Sequence, residues 1–258
     1  MILNGFQAWP LAAITGLVVG SFVGAVAYRL PRGISVVWPP SACPQCTTRL
    51  RSRDLVPVAS FLATRGRCRH CSLRIPLRYP LTELATGGLF VVASLLSTDW
   101  LSFTVGAVFF SLMAMMLLID LEHMLLPNAI NVAGIALGLS AAALGWTDLS
   151  AWEALLGAAL GYGVIYVVAL ASRGGMGMGD AKFLALIGSF VGPLGVLMTL
   201  FGASFVGTLV GISLIRLGRH ERREPMPFGP YLAGAAVIVW ILSLNQGLKS
   251  LVPSIVAG

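Results

Sequence analysis

Long apolar segments recur along almost the whole chain, and they limit its possible folds more than any other feature. Eight can be distinguished, at residues 8–28, 81–96, 101–119, 129–144, 152–171, 181–191, 194–215 and 231–244. Only 10% of the 258 residues are charged, and the mean hydropathy is +0.88. Soluble domains carry about 25% charged residues, and a membrane-spanning helix needs about 20 apolar residues. The pattern therefore predicts an all-α polytopic membrane protein with about eight transmembrane helices in a lipid bilayer.

The basic residues are unevenly distributed, and their positions predict an orientation in the membrane. The net charge is +7, and ten of the seventeen Lys and Arg residues lie between Arg29 and Arg78. Basic residues beside membrane spans are retained on the cytoplasmic side, so we interpret them as a topology signal and expect no nucleic-acid ligand. If each segment crosses once and residues 29–79 are inside, sixteen of the seventeen fall inside and only Lys249 falls outside. Both termini are then outside.

Three regions follow from this topology. Residues 1–28 form the first transmembrane helix, and because no Lys or Arg precedes Arg29 we expect a mature helix rather than a cleaved signal peptide. Residues 29–80 form a cytoplasmic loop domain, and residues 81–258 form the transmembrane core. Within that core Gly192 and Pro193 follow a short sixth segment, which predicts either a half-helix or a helix kinked at Pro193.

All four cysteines lie in the cytoplasmic loop, between the first and second helices. They form two Cys-x-x-Cys pairs, Cys43/Cys46 and Cys68/Cys71, separated by 21 residues. Four thiolates in this spacing are typical of a closed, structural tetrahedral zinc site. Disulfides or a redox pair are the alternatives, but cytoplasmic thiols stay reduced and no βαβ unit surrounds them. His70, between two of the cysteines, is expected to be a bystander.

Two aspartates occupy distinctive positions at the ends of apolar segments. Asp120 ends the third segment and precedes Leu126-Pro127-Asn128, while Asp180 lies in Gly177-Met178-Gly179-Asp180-Ala181-Lys182. Each could simply end or cap a helix, but charged residues inside membrane segments are candidate functional residues. Both fall at the cytoplasmic face in the predicted topology. Two close carboxylates rarely both ionise, so such a pair can act as acid and base. The sequence does not determine whether they meet.

Taken in order along the chain, the motifs resemble those of the type IV prepilin peptidases, also called leader peptidase/N-methyltransferases. They begin with Gly20–Pro31 and the paired Cys-x-x-Cys loop. The Asp-x5-Leu-Pro-Asn stretch from Asp120, the Gly-x-Gly-Asp-x-Lys stretch ending at Lys182, and Pro227-Phe228-Gly229-Pro230 follow. The resemblance extends over nearly the whole chain.

The resemblance implies a specific activity and site. Members of this family are aspartyl proteases of the bacterial inner membrane that remove the basic leader of type IV pilins and type II secretion pseudopilins, cutting after a glycine. Many then methylate the new N-terminus with S-adenosylmethionine. The resemblance implies that Asp120 and Asp180 are catalytic and that the zinc ligands are Cys43, Cys46, Cys68 and Cys71. It assigns no residue to methylation.

Two other classes of function suit parts of the sequence. A small-solute transporter would explain buried acids and broken helices, but not the paired cysteines. A non-enzymatic assembly scaffold of a secretion or pilus machine would use the cysteine loop for docking. Among the remaining acids, Glu83 and Glu122 are candidates to receive a basic leader, and Lys182 could neutralise the aspartates or lie at the membrane interface.

Overall fold

The computed structural model describes residues 8–171, 177–218 and 226–244, in which the regular elements are helices and no strand is present. Parts of the sequence interpretation rest on Arg173, Arg219, Arg222, Arg223 and Lys249, which lie outside the described residues. The helices are α1 (Trp9–Arg29), α2 (Ala59–Ala63), α3 (Arg78–Leu96), α4 (Trp100–His123), α5 (Asn128–Ala143), α6 (Ala151–Ala171), α7 (Met178–Arg216) and α8 (Gly229–Leu244).

Local signals explain where several helices begin. Asp99 precedes α4, and its Oδ1 accepts the backbone N–H groups of Leu101 and Ser102 at 2.8 and 2.9 Å. Ser150 and Glu153 bond each other's backbone N–H at the start of α6, which is a capping box. These bonds satisfy N–H groups that a helix leaves without partners in its first turn.

The helices agree with the predicted membrane class. Within the described residues, α1 with its 3₁₀ extension to Arg32, α3, α4, α6 and α7 are long and apolar enough to cross a bilayer, while α5 and α8 are shorter apolar helices. The all-helical prediction is confirmed, and the number of eight spans stays a prediction.

The seventh helix explains how the sixth and seventh predicted segments are joined. It runs for 39 residues, and Gly192 within it has φ 71° and ψ −176°, directly before Pro193. A side chain would strain a backbone with this φ, and proline disrupts a continuing helix. The 39 residues are therefore two helical parts that meet at Gly192. A Cβ at Gly188 would lie 2.8 Å from Cγ2 of Val196, whereas eight residues of straight helix span about 12 Å. The second part thus folds back on the first, a sharper break than the half-helix or the kink expected from the sequence.

The chain divides into two compact units, Met1–Met115 and Met116–Gly258. In the first unit α1 packs closely on α3 because glycines lie at the contact. A Cβ at Gly16 would be 2.7 Å from the Cβ of Phe90, and one at Gly20 would be 2.7 Å from the Cα of Glu83. Small residues one turn apart allow this close approach of membrane helices.

In the second unit α7 packs against α5, α6 and α8. The start of α7 forms the core, since Phe183, Leu184, Leu186 and Ile187 are fully buried. Gly157 of α6 and Gly188 of α7 lie in direct backbone contact. This packing sets the position of the start of α7, which carries Asp180.

Candidate active site and metal centre

Asp120 lies near the cytoplasmic end predicted for α4 and is almost completely buried, with 5% of its surface exposed. Its Oδ2 accepts the backbone N–H of Gly229, the first residue of α8, at 2.9 Å. The partner is 109 residues away in sequence. The carboxylate is thus held by a second helix rather than by its own.

Asp180 lies in the first turn of α7 and is held locally. Its Oδ2 accepts the N–H of Gly177, the residue that precedes the helix, at 3.2 Å. The capping role considered from the sequence is therefore real. Capping still leaves a carboxylate at a helix N-terminus, where the helix dipole favours a negative charge.

The two motif segments that carry these aspartates meet in the second unit. Leu126, six residues after Asp120, would be 3.1 Å from a Cβ at Gly179. Lys182 donates a hydrogen bond from Nζ to Oδ1 of Asn128 at 2.7 Å. The segment that follows Asp120 therefore packs against the first turn of α7, which carries Asp180. Two carboxyl groups held near each other can divide the roles of proton donor and proton acceptor.

A groove of about 260 Å³ lies beside the first residue of α8. Phe228, directly before Gly229, and Tyr231, two residues after it, line the groove. The lining is Ser204, Gly207, Thr208, Met226, Pro227, Phe228 and Tyr231. Its walls combine small residues of α7 with larger apolar and aromatic groups, a surface suited to an apolar peptide segment.

The other candidate polar residues have partners of their own. Lys182 is bonded to Asn128 as described above, and Glu122 Oε2 lies 3.8 Å from His123 Nε2. Glu83 accepts the backbone N–H of Val58 on its Oε2 at 2.7 Å. Glu83 therefore holds the loop domain to α3, a role that the sequence did not suggest.

The four cysteines converge in the loop of the first unit. The Sγ atoms of Cys43, Cys46, Cys68 and Cys71 all lie within 4.8 Å of one another, and all four thiols are free. The two pairs have similar local structures. Cys43 and Cys68 each donate an N–H to the carbonyl five residues ahead, of Thr48 and Leu73, at 3.1 and 2.8 Å.

The same turn follows the second cysteine of each pair. Thr47 and Ser72 stand directly after Cys46 and Cys71 and have φ of 53° and 59°. This left-handed residue folds each Cys-x-x-Cys back, so that both of its sulfurs face the other pair. The exposed His70 is not among the residues of the sulfur cluster.

The pKa values of the thiols differ because hydrogen bonds and burial act on them unequally. Hydrogen bonds from the side chain and backbone of Thr48 lower the pKa of Cys46 to about 6. At Cys71 a backbone hydrogen bond from Leu73 favours the thiolate, but burial and hydrogen bonds with the other three thiols raise the pKa to about 12. Four negative sulfurs this close repel one another, and a central cation would remove that repulsion.

The donor set fits a tetrahedral metal. Four sulfurs at about 2.3 Å from a zinc ion would be about 3.8 Å from one another, and Cys43 Sγ lies 3.7 Å from Cys71 Sγ. The cluster can hold a metal ion with four soft ligands. A site closed by four protein ligands supports structure rather than catalysis.

Comparison with protein families gives two matches that cover most of the chain. Residues 14–97 match the bacterial Peptidase A24 N-terminal domain, and residues 107–212 match the type IV leader peptidase family. Known relatives match over still longer stretches. A prepilin leader peptidase/N-methyltransferase of Bacillus subtilis is 35% identical over 229 residues, which cover 88% of this chain and 92% of the relative. The chain belongs to the type IV leader peptidase family.

Other relatives in the family give the same result. Proteins of the same name from Pseudomonas putida and Pseudomonas aeruginosa are 37% and 34% identical, covering 89% and 93% of this chain and 90% and 94% of their own lengths. The comparison with solved structures found no match. The resemblance found in the motifs is therefore confirmed along nearly the full chain.

Two residues of this family member were not singled out by the sequence analysis. Gly229 was noted only within a motif, although its N–H contacts Asp120. Asn131 of α5 is completely buried, and neither polar atom of its side chain has a partner among the described residues. The available signal for Asn131 was an amide in the interior of a mainly apolar 16-residue helix.

Proposed function

We propose that this chain is a membrane-embedded aspartic endopeptidase that removes the basic leader from type IV prepilins or type II secretion pseudopilins, cutting after a glycine. The observation that carries the proposal is the contact between the two motif segments that carry Asp120 and Asp180. The relatives named prepilin leader peptidase support the substrate class. A transporter or a scaffold has no comparable support.

The reaction needs one ionised and one protonated carboxyl group. The ionised aspartate takes a proton from water as the oxygen attacks the scissile carbonyl carbon, and the protonated aspartate donates its proton to the carbonyl oxygen. The resulting diol collapses when a proton passes to the leaving amine, which breaks the C–N bond. Neither a metal nor a covalent intermediate takes part, and the products are the leader and the mature pilin.

The groove next to Gly229 is the proposed binding place for the apolar segment that follows the scissile bond. A basic leader stays in the cytoplasm while an apolar helix enters lipid, so the bond between them lies at the membrane face. The groove is lined mainly by apolar and small side chains and adjoins the contact between α8 and Asp120. This placement aligns the substrate with the aspartates.

The catalytic assignment is tested by single substitutions. We expect Asp120→Asn and Asp180→Asn each to lower prepilin cleavage by about 10³-fold or more, since an acid–base pair acts as a unit. The measurement is the mass of the products from purified protein and prepilin. Asp99→Asn, at the opposite end of α4 from Asp120, is the matched control and should keep full activity because Asn also caps helices.

The outcome separates the three classes of function. Near-normal cleavage by either site variant would reject the assignment. A scaffold should support assembly with both substitutions, and a transporter should lose solute flux instead of cleavage.

We further propose that Cys43, Cys46, Cys68 and Cys71 bind one structural zinc ion. When bound, zinc would supply folding energy to a loop too small for a large core. Elemental analysis should find about one zinc per chain, and Cys43→Ser should lose it while the membrane helices still insert. His70→Ala is the control and should retain the metal. Retention of zinc by Cys43→Ser would contradict this ligand set.

S-adenosylmethionine is the proposed methyl donor for a second activity. The support is the second half of the name that the relatives carry, and no residue of this chain is assigned to the step. Adding S-adenosylmethionine to the prepilin reaction should increase the mass of the mature product by one methyl group. An unchanged mass would leave the peptidase proposal intact and remove the transferase one.

A further inference from the structure

The first N–H group of α8 bonds to a residue outside the helix, and the residues around it explain why. Pro230 has no N–H, and the N–H groups of Tyr231 and Leu232 both reach the carbonyl of Phe228. The N–H of Gly229, the first of the helix, has no acceptor within it, and it reaches Oδ2 of Asp120 at 2.9 Å in a buried position. We propose that Gly229 is a positioning residue that holds the Asp120 carboxylate in place for peptide cleavage.

The contact requires glycine because of space. A Cβ at position 229 would lie 2.6 Å from Oδ2, 3.0 Å from Cγ and 3.2 Å from Cβ of Asp120. Gly229 has no positive φ, so alanine could adopt its backbone conformation. The methyl group of an alanine at position 229 would therefore collide only with Asp120. This collision would move the carboxylate away from the N–H that holds it.

The second aspartate has a different arrangement. The N–H that Asp180 accepts comes from Gly177, three residues earlier in the same turn, so Asp180 keeps its place relative to its own helix. Asp120 depends instead on how α8 packs against the end of α4. The relative positions of the two carboxylates thus depend on Gly229, and this inference rests on the proposed role of both in cleavage.

Steady-state cleavage of a prepilin by Gly229→Ala tests the positioning role. Displacement of a reacting group by about 1 Å can cost 10²-fold in rate, so we expect kcat to fall by about that factor while KM stays within about threefold of wild type. Gly234→Ala is the matched control, because it lies on the same helix and a Cβ there has nothing within 4 Å. Its kcat should equal that of wild type.

A double-mutant cycle in thermal stability separates positioning from general damage to α8. Gly229→Ala should lower Tm in the wild-type background and lower it clearly less in an Asp120→Ala background, where the two closest colliding atoms are gone. If Gly229→Ala alone fails to fold, recovery of folded Gly229→Ala/Asp120→Ala protein gives the same result.

The outcomes also distinguish this inference from the proposed function. Equal losses of Tm in the two backgrounds, or a wild-type kcat for Gly229→Ala, would overturn the positioning role while leaving a prepilin peptidase. A wild-type protein that cleaves no prepilin would instead reject the proposed function, and the cycle would still report whether residue 229 contacts Asp120.

Discussion

Glu83 has a structural role in the fold, although its charge alone suggested a role in substrate recognition. As one of the few acids near the basic loop, it was a candidate to receive a basic leader. Its Oε2 instead accepts the N–H of Val58 at 2.7 Å. Val58 has φ 58°, a conformation that is unfavourable for a β-branched residue. The carboxylate therefore stabilises a strained turn at the start of α2.

We expect Glu83→Ala to release this turn and Glu83→Gln to keep it, because the glutamine side-chain oxygen can still accept the N–H. A hydrogen bond of this kind contributes about 1 kcal/mol. Cleavage by a protease follows the open population, so trypsin should nick the Arg-rich loop of Glu83→Ala about fivefold faster in detergent solution. Equal rates for both variants, together with weaker prepilin binding by each, would restore the leader-binding hypothesis.

At the scale of the helices, backbone contact between glycines holds α6 against α7. Gly157 of α6 lies against Gly188 of α7, and Gly161 lies against Leu184. Apolar side chains gain little from helix association in lipid, so close packing of small residues takes over that role. The start of α7, with Asp180, is positioned by this contact.

Gly157→Ala should therefore lower Tm measurably. A forced methyl group in a packed interior costs about 1–3 kcal/mol, which corresponds to a loss of roughly 2–10 °C for a chain of this size. Gly163→Ala lies on the same helix and a Cβ there meets nothing within 4 Å. Alanine is the better helix former by up to about 1 kcal/mol, so this control should match or slightly exceed the wild-type Tm. A control that loses as much Tm as Gly157→Ala would contradict the contact.

We propose that the basic residues determine the orientation of the whole molecule in the membrane. The loop between α1 and α3 is placed in the cytoplasm, and the turn between α5 and α6 outside. Val37 in the loop is 88% exposed and Trp146 in the turn is 41% exposed, so both positions suit labelling with a probe that cannot cross membranes.

Opposite labelling is expected for the two positions. Trp146→Cys should react in right-side-out vesicles, where the wild type, with all four cysteines in the loop, should not. Val37→Cys should react in inverted vesicles. Reaction of Val37→Cys from the outside would reverse the topology and reject a cytoplasmic active site.

Several features of the fold and site were predictable because their signals are local. Apolar runs predicted the positions of the helices to within a few residues, and Gly192-Pro193 predicted the break that α7 contains. The cysteine pairs were expected to converge, and they do, since two Cys-x-x-Cys turns carry their own geometry. The role of Glu83 could not be predicted, because it depends on a backbone conformation 25 residues away.

The sequence by itself determined the membrane class, the family and the identity of the candidate aspartates and thiols, because hydropathy, charge and motif spacing are properties of short segments. Only the tertiary structure decided what holds Asp120. Its N–H partner is 109 residues distant, and many packings of apolar helices would satisfy the same hydropathy pattern. Specific small residues select one packing, since they alone allow backbones to approach closely enough.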